Sequence, residues 1–162
     1  MSANDLDVAI ANFRAGAVSV AGGDELLPEQ WSEEDWKKLF QFTTKRCIAA
    51  GDALIHRGDS DRTLYFVLRG GLEVIVNSSD GISMGPISLA GTGTVLGEQS
   101  FFDGNARSAS VWAADDCDVA AMSPEQYANF EREHPKLARD LLFALGRVLA
   151  SRLRKTTVRV AP

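Results

Sequence analysis

Leu96-Gly97-Glu98-Gln99-Ser100-Phe101-Phe102-Asp103-Gly104-Asn105-Ala106-Arg107-Ser108-Ala109-Ser110-Val111 sits between two strand-like segments near the middle of the chain. Its residues suit one task, holding a small anion that carries a sugar. Gly97 lets the backbone come close to a ligand and take positive φ. Glu98, while ionised, only accepts hydrogen bonds, so it wants a donor such as a sugar hydroxyl. Gln99 to Phe102 can form a short helical turn whose free N–H groups and positive dipole end favour an anion. Arg107 carries a planar fork of donors that fits a phosphate through two parallel bonds, with the Ser108 hydroxyl beside it. The plain reading of the same residues is a surface ion pair between Glu98 and Arg107, worth less than ~1 kcal/mol.

Outward from this stretch, from Thr43 to Ser123, short apolar runs alternate with turns. Arg46–Ala49 leads to Gly51-Asp52, and Ala53–His56 leads to Gly58-Asp59. Thr63–Leu68 is a strong β run closed by Gly70-Gly71, and Leu72–Val76 alternates before a turn over Asn77–Gly81. Ile82–Leu89 reads as a weaker strand, broken by Gly85 and Pro86, and Ser108–Ala114 and Cys117–Met122 follow the central stretch. Many short strands closed by Gly or Asp indicate a small antiparallel barrel or jelly roll.

Helical signals flank the strands. Ser32 followed by Asp35 is an N-cap with an acidic third position, and Trp36, Leu39 and Phe40 then share one face, which predicts a helix over 32–41. Ser123-Pro124-Glu125-Gln126 starts a second helix that ends near Glu133. Another follows His134-Pro135 to about Arg154, with a broad apolar stripe through Leu141, Leu145, Val148 and Leu149. The basic end, Arg152 to Lys155, reads as a solvated C-terminus favoured by the helix dipole. Before Leu27, Val8, Ile10, Ala11 and Phe13 hint at a helix that Gly16, Gly22 and Gly23 interrupt, so residues 1–30 are expected to be a flexible arm or linker.

The chain has 162 residues, enough for one domain with a real core, and its 45% hydrophobic and 24% charged content is that of an ordinary globular protein. A net charge of −5 argues against a general nucleic-acid binder. No apolar run is long enough to cross a membrane, and the start lacks the basic region of a secretory signal. Cys47 and Cys117 are far apart, and buried thiols in a reduced, cytoplasmic setting are the simplest account.

Residues 96–111 resemble the phosphate-binding cassette of the cyclic-nucleotide-binding domain family, the domain of catabolite activator proteins and protein kinase A regulatory subunits. Gly97, Glu98, Ser100, Arg107, Ser108, Ala109, Ser110 and Val111 match that pattern, while Gln99 stands where an aliphatic residue is usual and Ala106 replaces the usual proline. The order Gly51-Asp52, Gly58-Asp59, Leu64-Tyr65-Phe66-Val67, Gly70, Leu72-Glu73-Val74 also resembles the family's β-roll, so the resemblance runs from about Glu33 to Leu153. It implies a mostly β fold, an antiparallel jelly-roll β-barrel (double-stranded β-helix) with an N-terminal helix and two C-terminal helices. The domain would span 31–156, with a tail over 157–162.

The resemblance also implies a ligand, cyclic AMP or cyclic GMP, and a site made of Gly97, Glu98, Gln99, Ser100, Arg107, Ser108 and Ala109. Arg107 and Ser108 would hold the cyclic phosphate with backbone N–H groups near Gln99 and Ser100, and Glu98 would accept the ribose 2′-hydroxyl. Binding would shift the C-terminal helices and signal to an effector protein that the sequence does not name. The last helix could pair with a second subunit. A family fold that has lost nucleotide and works by protein contact is the alternative, motivated by Gln99 and Ala106. An enzyme is not expected: two histidines, His56 and His134, cannot build a His-rich metal centre, and no nucleophile with its base is in view. Direct DNA binding is not expected either, because little chain follows the last helix.

Overall fold

A computed structural model describes residues 3–19, 28, 30–76 and 88–160. Two four-stranded antiparallel sheets face each other. One runs β1 (Thr44–Ile48), β8 (Cys117–Met122), β3 (Leu64–Arg69), β6 (Val95–Leu96). The other runs β2 (Ala53–Ile55), β7 (Ser110–Ala113), β4 (Leu72–Ile75), β5 (Ser88–Ala90). This is the jelly roll the strand pattern predicted, built as two packed sheets rather than a continuously bonded barrel. The turn over 77–81 and the strand beginning at Ile82 fall on 77–87, outside the described residues.

β3 explains why its sequence is apolar without alternation. Leu64, Phe66 and Leu68 face a layer of helices, while Tyr65 and Val67 face the second sheet. A strand buried on both faces reads as a continuous hydrophobic run. Its partner β8 does the same, with Ala120 and Met122 toward the helices and Val119 and Ala121 between the sheets. The molecule therefore has three layers and two cores, and the first sheet is the shared wall.

The helical layer contains α1 (Ala3–Ser19), α2 (Glu33–Gln41), α4 (Pro124–Glu133) and α5 (Pro135–Val160). Both predicted capping boxes form. The Asp35 amide donates to Ser32 Oγ at 3.2 Å and the Ser32 amide to Asp35 Oδ2 at 3.0 Å; Gln126 and Ser123 repeat the exchange at 3.1 and 2.8 Å. Trp36, Leu39 and Phe40 are buried, as their shared face required. α5 runs beyond Arg154, so residues 157–160 are helix and not tail. Cys117 is buried as expected of a thiol in a β core, but Cys47 is exposed; both are free.

The expected N-terminal arm is corrected over residues 3–19. These form α1, whose Ile10 and Phe13 are fully buried and whose Phe13 ring meets Trp36 at 5.3 Å and Phe66 at 6.0 Å. Gly22 and Gly23 lie outside the described residues. Gly16 does not interrupt the helix; it lets α1 press against the turn before β6, where a Cβ would sit 2.3 Å from the Thr92 carbonyl oxygen. Helix propensity alone makes Gly→Ala in a helix interior stabilising by about 0.5–1 kcal/mol. Here the sign reverses: Gly16→Ala lowers stability by ~1–3 kcal/mol, because a backbone oxygen cannot step aside. Urea denaturation of the two proteins reads the sign directly.

Candidate functional site

The quoted stretch folds as α3 (Glu98–Asp103) between β6 and β7. Gly97 is its N-cap at φ +83, and the chain leaves through Gly104 at φ +71. The short helical turn expected at Gln99–Phe102 is thus present, one residue longer at each end. The first N–H groups of such a helix have no acceptor within it. They border a cavity of about 400 Å³, open on one side, which is lined by all seven residues singled out from the sequence: Gly97, Glu98, Gln99, Ser100, Arg107, Ser108 and Ala109. Apolar side chains of the second sheet, Ile55, Val74, Leu89 and Val111 among them, line another part of the cavity, and Arg152, Lys155 and Thr156 of α5 add to its lining.

Arg107 is only 4% exposed. Its backbone is clamped to the β2–β3 loop, since its amide donates to the Asp59 carbonyl at 2.8 Å and its carbonyl accepts from the Gly58 amide at 2.9 Å. Its guanidinium is held from three sides. Nη1 donates to the Gly97 carbonyl at 3.1 Å, and Nη2 donates to the Thr63 carbonyl at 2.7 Å and to the Asp61 carboxylate. The guanidinium carbon lies 5.7 Å from the centre of the Tyr65 ring. Nε is buried and has no partner among the described residues. A buried donor left unpaired costs about 1–3 kcal/mol, more for a charged group. Such a donor wants an acceptor, and Arg107 is one of the residues that line the cavity.

Glu98 is also 4% exposed. It does not pair with Arg107, so the plain surface-pair reading is corrected: its Oε1 lies 2.6 Å from Arg152 Nη1 of α5, whose Nη2 also donates to the Val95 carbonyl at 2.8 Å. A carboxylate this deep is retained because a cation and its N–H groups meet it. Ser108 Oγ donates to Gln99 Oε1 at 2.9 Å, so the residue that departs from the usual aliphatic side chain spans the cassette. Arg62 anchors the other end of α3, donating from Nε to the Ser100 carbonyl at 3.2 Å and from Nη2 to the Phe101 carbonyl at 2.9 Å. The site therefore sets an anion-seeking edge against a buried carboxylate within one cavity.

Comparison with known proteins agrees with this geometry. The profile described as Cyclic nucleotide-binding domain matches residues 45–134, more than half of the chain. The chain belongs to the cyclic nucleotide-binding domain family. It is 34% identical over 127 residues to the cAMP-activated global transcriptional regulator Vfr of Pseudomonas aeruginosa, covering 76% of this chain and 57% of Vfr. It is 32% identical over 109 residues to the cAMP-activated global transcriptional regulator CRP of Pasteurella multocida, covering 67% of this chain and 50% of CRP. The chain spans about half the length of these curated relatives. A solved cyclic nucleotide-binding domain from Methylobacillus flagellatus superposes with a TM-score of 0.80 at 25% identity, over 95% of this chain and 83% of that one.

Three elements of this cyclic nucleotide-binding domain escaped the sequence reading. Asp61 and the Thr63 carbonyl lie in a turn rich in aspartate, and nothing local marks one aspartate as the partner of Arg107. Arg152 did leave a signal. It follows Leu141, Leu145 and Val148 at helical spacing on the core-facing stripe, and an arginine on that stripe is a cation brought inward rather than a solvated end. Among the described residues no helix is long and apolar enough to cross a membrane and no cluster of metal-ligating side chains occurs.

Proposed function

We propose that this domain binds a cyclic nucleotide, cyclic AMP or cyclic GMP, as a regulatory module without catalysis. The observation that carries the reading is Arg107, a buried cation that lines the cavity and whose Nε has no partner among the described residues. Arg107 takes the cyclic phosphate, with the first amides of α3, the Ser108 hydroxyl and the backbone near Ala109 around it. Glu98 accepts the ribose 2′-hydroxyl, and the apolar sheet face receives the base. The names of the transcriptional relatives favour cyclic AMP.

The route to the output runs through α5. A ribose hydroxyl that bonds Glu98 competes with Arg152 for the same carboxylate. Phe101 of α3 also meets Tyr127 of α4 edge to face at 5.2 Å. Ligand then favours one placement of the C-terminal helices over another, by differential affinity. An effector protein reads that placement. α5 leaves Phe143 and Leu153 exposed at 69% and 68%, which suits pairing with a second copy.

A second reading has its own support. Ser108 already bonds Gln99, and Glu98 already pairs with Arg152, so two polar groups of the site are satisfied within the chain. A contact-only module fits that. A thermal-shift titration separates the two. A ligand at 100 times its dissociation constant stabilises by about 2.7 kcal/mol, which raises Tm by roughly 5–10 °C for a domain of this size. A clear rise with cyclic AMP or cyclic GMP is the expected result; no rise with either at millimolar concentration leaves the contact-only reading.

A further inference from the structure

We infer that Asp61 is an internal counterion that competes with a ligand phosphate for Arg107 and so holds the affinity of the site down; this rests on the anion-binding reading above. Each Nη2 proton of Arg107 is engaged, one by Asp61 and one by the Thr63 carbonyl. In a guanidinium the side-on fork consists of Nε–H and the Nη2 proton next to it. A phosphate that grips Arg107 side-on meets Nε–H unpaired but must share or take an Nη2 proton from one of those two acceptors.

Asp61 is the one that yields. The Thr63 carbonyl is fixed at the entry to β3, where the next residue, Leu64, is fully buried. The Asp61 side chain is 45% exposed, so water can receive its carboxylate. It also carries the ligand's own sign of charge. Asp61 is nevertheless well held: Thr63 donates to its Oδ1 from the amide at 3.1 Å and from Oγ1 at 2.6 Å, and Tyr65 Oη donates to Oδ2 at 3.4 Å. Burial pushes its pKa up, but the bonds from Thr63 and Arg107 outweigh that and keep the carboxyl below its ordinary value. It is thus an ionised competitor at neutral pH. Without it, the Gly97 and Thr63 carbonyls still hold the guanidinium in place.

The test is Asp61→Asn, with Asp61→Glu as the charge-conserving partner. Calorimetry with cyclic AMP and cyclic GMP is expected to show the asparagine variant binding roughly 3- to 10-fold more tightly, a modest factor because a half-exposed charge is screened. The free variant melts ~2–4 °C lower, having lost the partner of a buried cation. Asp61→Glu stays close to the parent in both. A merely structural role would lower stability and affinity together. Inorganic phosphate is a second probe that needs no nucleotide: it raises the Tm of Asp61→Asn more than that of the parent, and this gain disappears in Asp61→Asn/Arg107→Ala. Weaker or unchanged nucleotide binding by Asp61→Asn overturns the inference, as does an Asp61→Glu variant that behaves like the asparagine. If the parent binds neither nucleotide, the receptor reading falls, and the phosphate comparison alone decides this one: a larger gain in Asp61→Asn upholds it, an equal or smaller gain overturns it.

Discussion

Arg107→Ala lowers the affinity for cyclic nucleotide by ~10- to 150-fold or more, from the 1.5–3 kcal/mol of a charge-assisted bond. The upper end applies when the ligand phosphate is left buried without a cation. The size of the effect follows from where the side chain sits. It is 4% exposed and lines the cavity, its Nε has no partner among the described residues, and its other bonds fix the guanidinium before any ligand arrives. Little side-chain entropy is lost when the ligand binds, so what offsets the interaction is chiefly the exchange of Asp61 for phosphate at Nη2. The fold tolerates the change better than the site does. Asp61 becomes an ordinary half-exposed carboxylate, although the Thr63 and Gly97 carbonyls each lose a donor. Calorimetry beside a melting curve separates the two effects. Arg107→Lys does not restore binding, because an ammonium has no planar edge and pairs with Asp61 as a point charge. Binding within threefold of the parent by Arg107→Ala would remove this residue from the phosphate site.

The features legible in the sequence are those written in local chemistry. Ser32 with Asp35 and Ser123 with Gln126 announced two helix starts, because a cap needs only its own four residues. Gly97, Glu98 and Arg107 announced the cassette, because an anion cradle needs particular residue types within one loop and the strand that follows it. What stayed hidden depends on residues far apart in the chain. Gly16 looked like a helix breaker because propensity describes an isolated helix, whereas here the missing side chain admits the Thr92 carbonyl. The pairings of Arg107 with Asp61 and of Glu98 with Arg152 bridge 46 and 54 positions. A charged residue names the kind of partner it needs but not which one it finds, and the surface Glu98–Arg107 pair failed for that reason: each found a better-placed partner across the fold.

Gly97→Ala is expected to cost ~2–4 kcal/mol of stability and most of the nucleotide affinity. Two effects combine at this position. The backbone is left-handed, at φ +83, which costs an L-residue with a Cβ roughly 1–2 kcal/mol. The Cβ would also lie 2.5 Å from both Arg107 Nη1 and the Thr63 carbonyl oxygen and 3.3 Å from Arg107 Cζ. The carbonyl belongs to the entry of β3 and cannot retreat, so the guanidinium must move, and with it go the bond to the Gly97 carbonyl and the fixed place of Arg107 in the cavity wall. Gly51→Ala is the control. Gly51 has φ +85 but open space around its missing Cβ, and it lies in the β1–β2 turn away from the cavity. It should lose only the conformational part, about 1–2 kcal/mol, and keep full affinity. Urea denaturation gives the two stability losses and calorimetry the two affinities. Equal losses at both positions, with binding retained in Gly97→Ala, would mean that the close approach of the backbone to Arg107 does not shape the site.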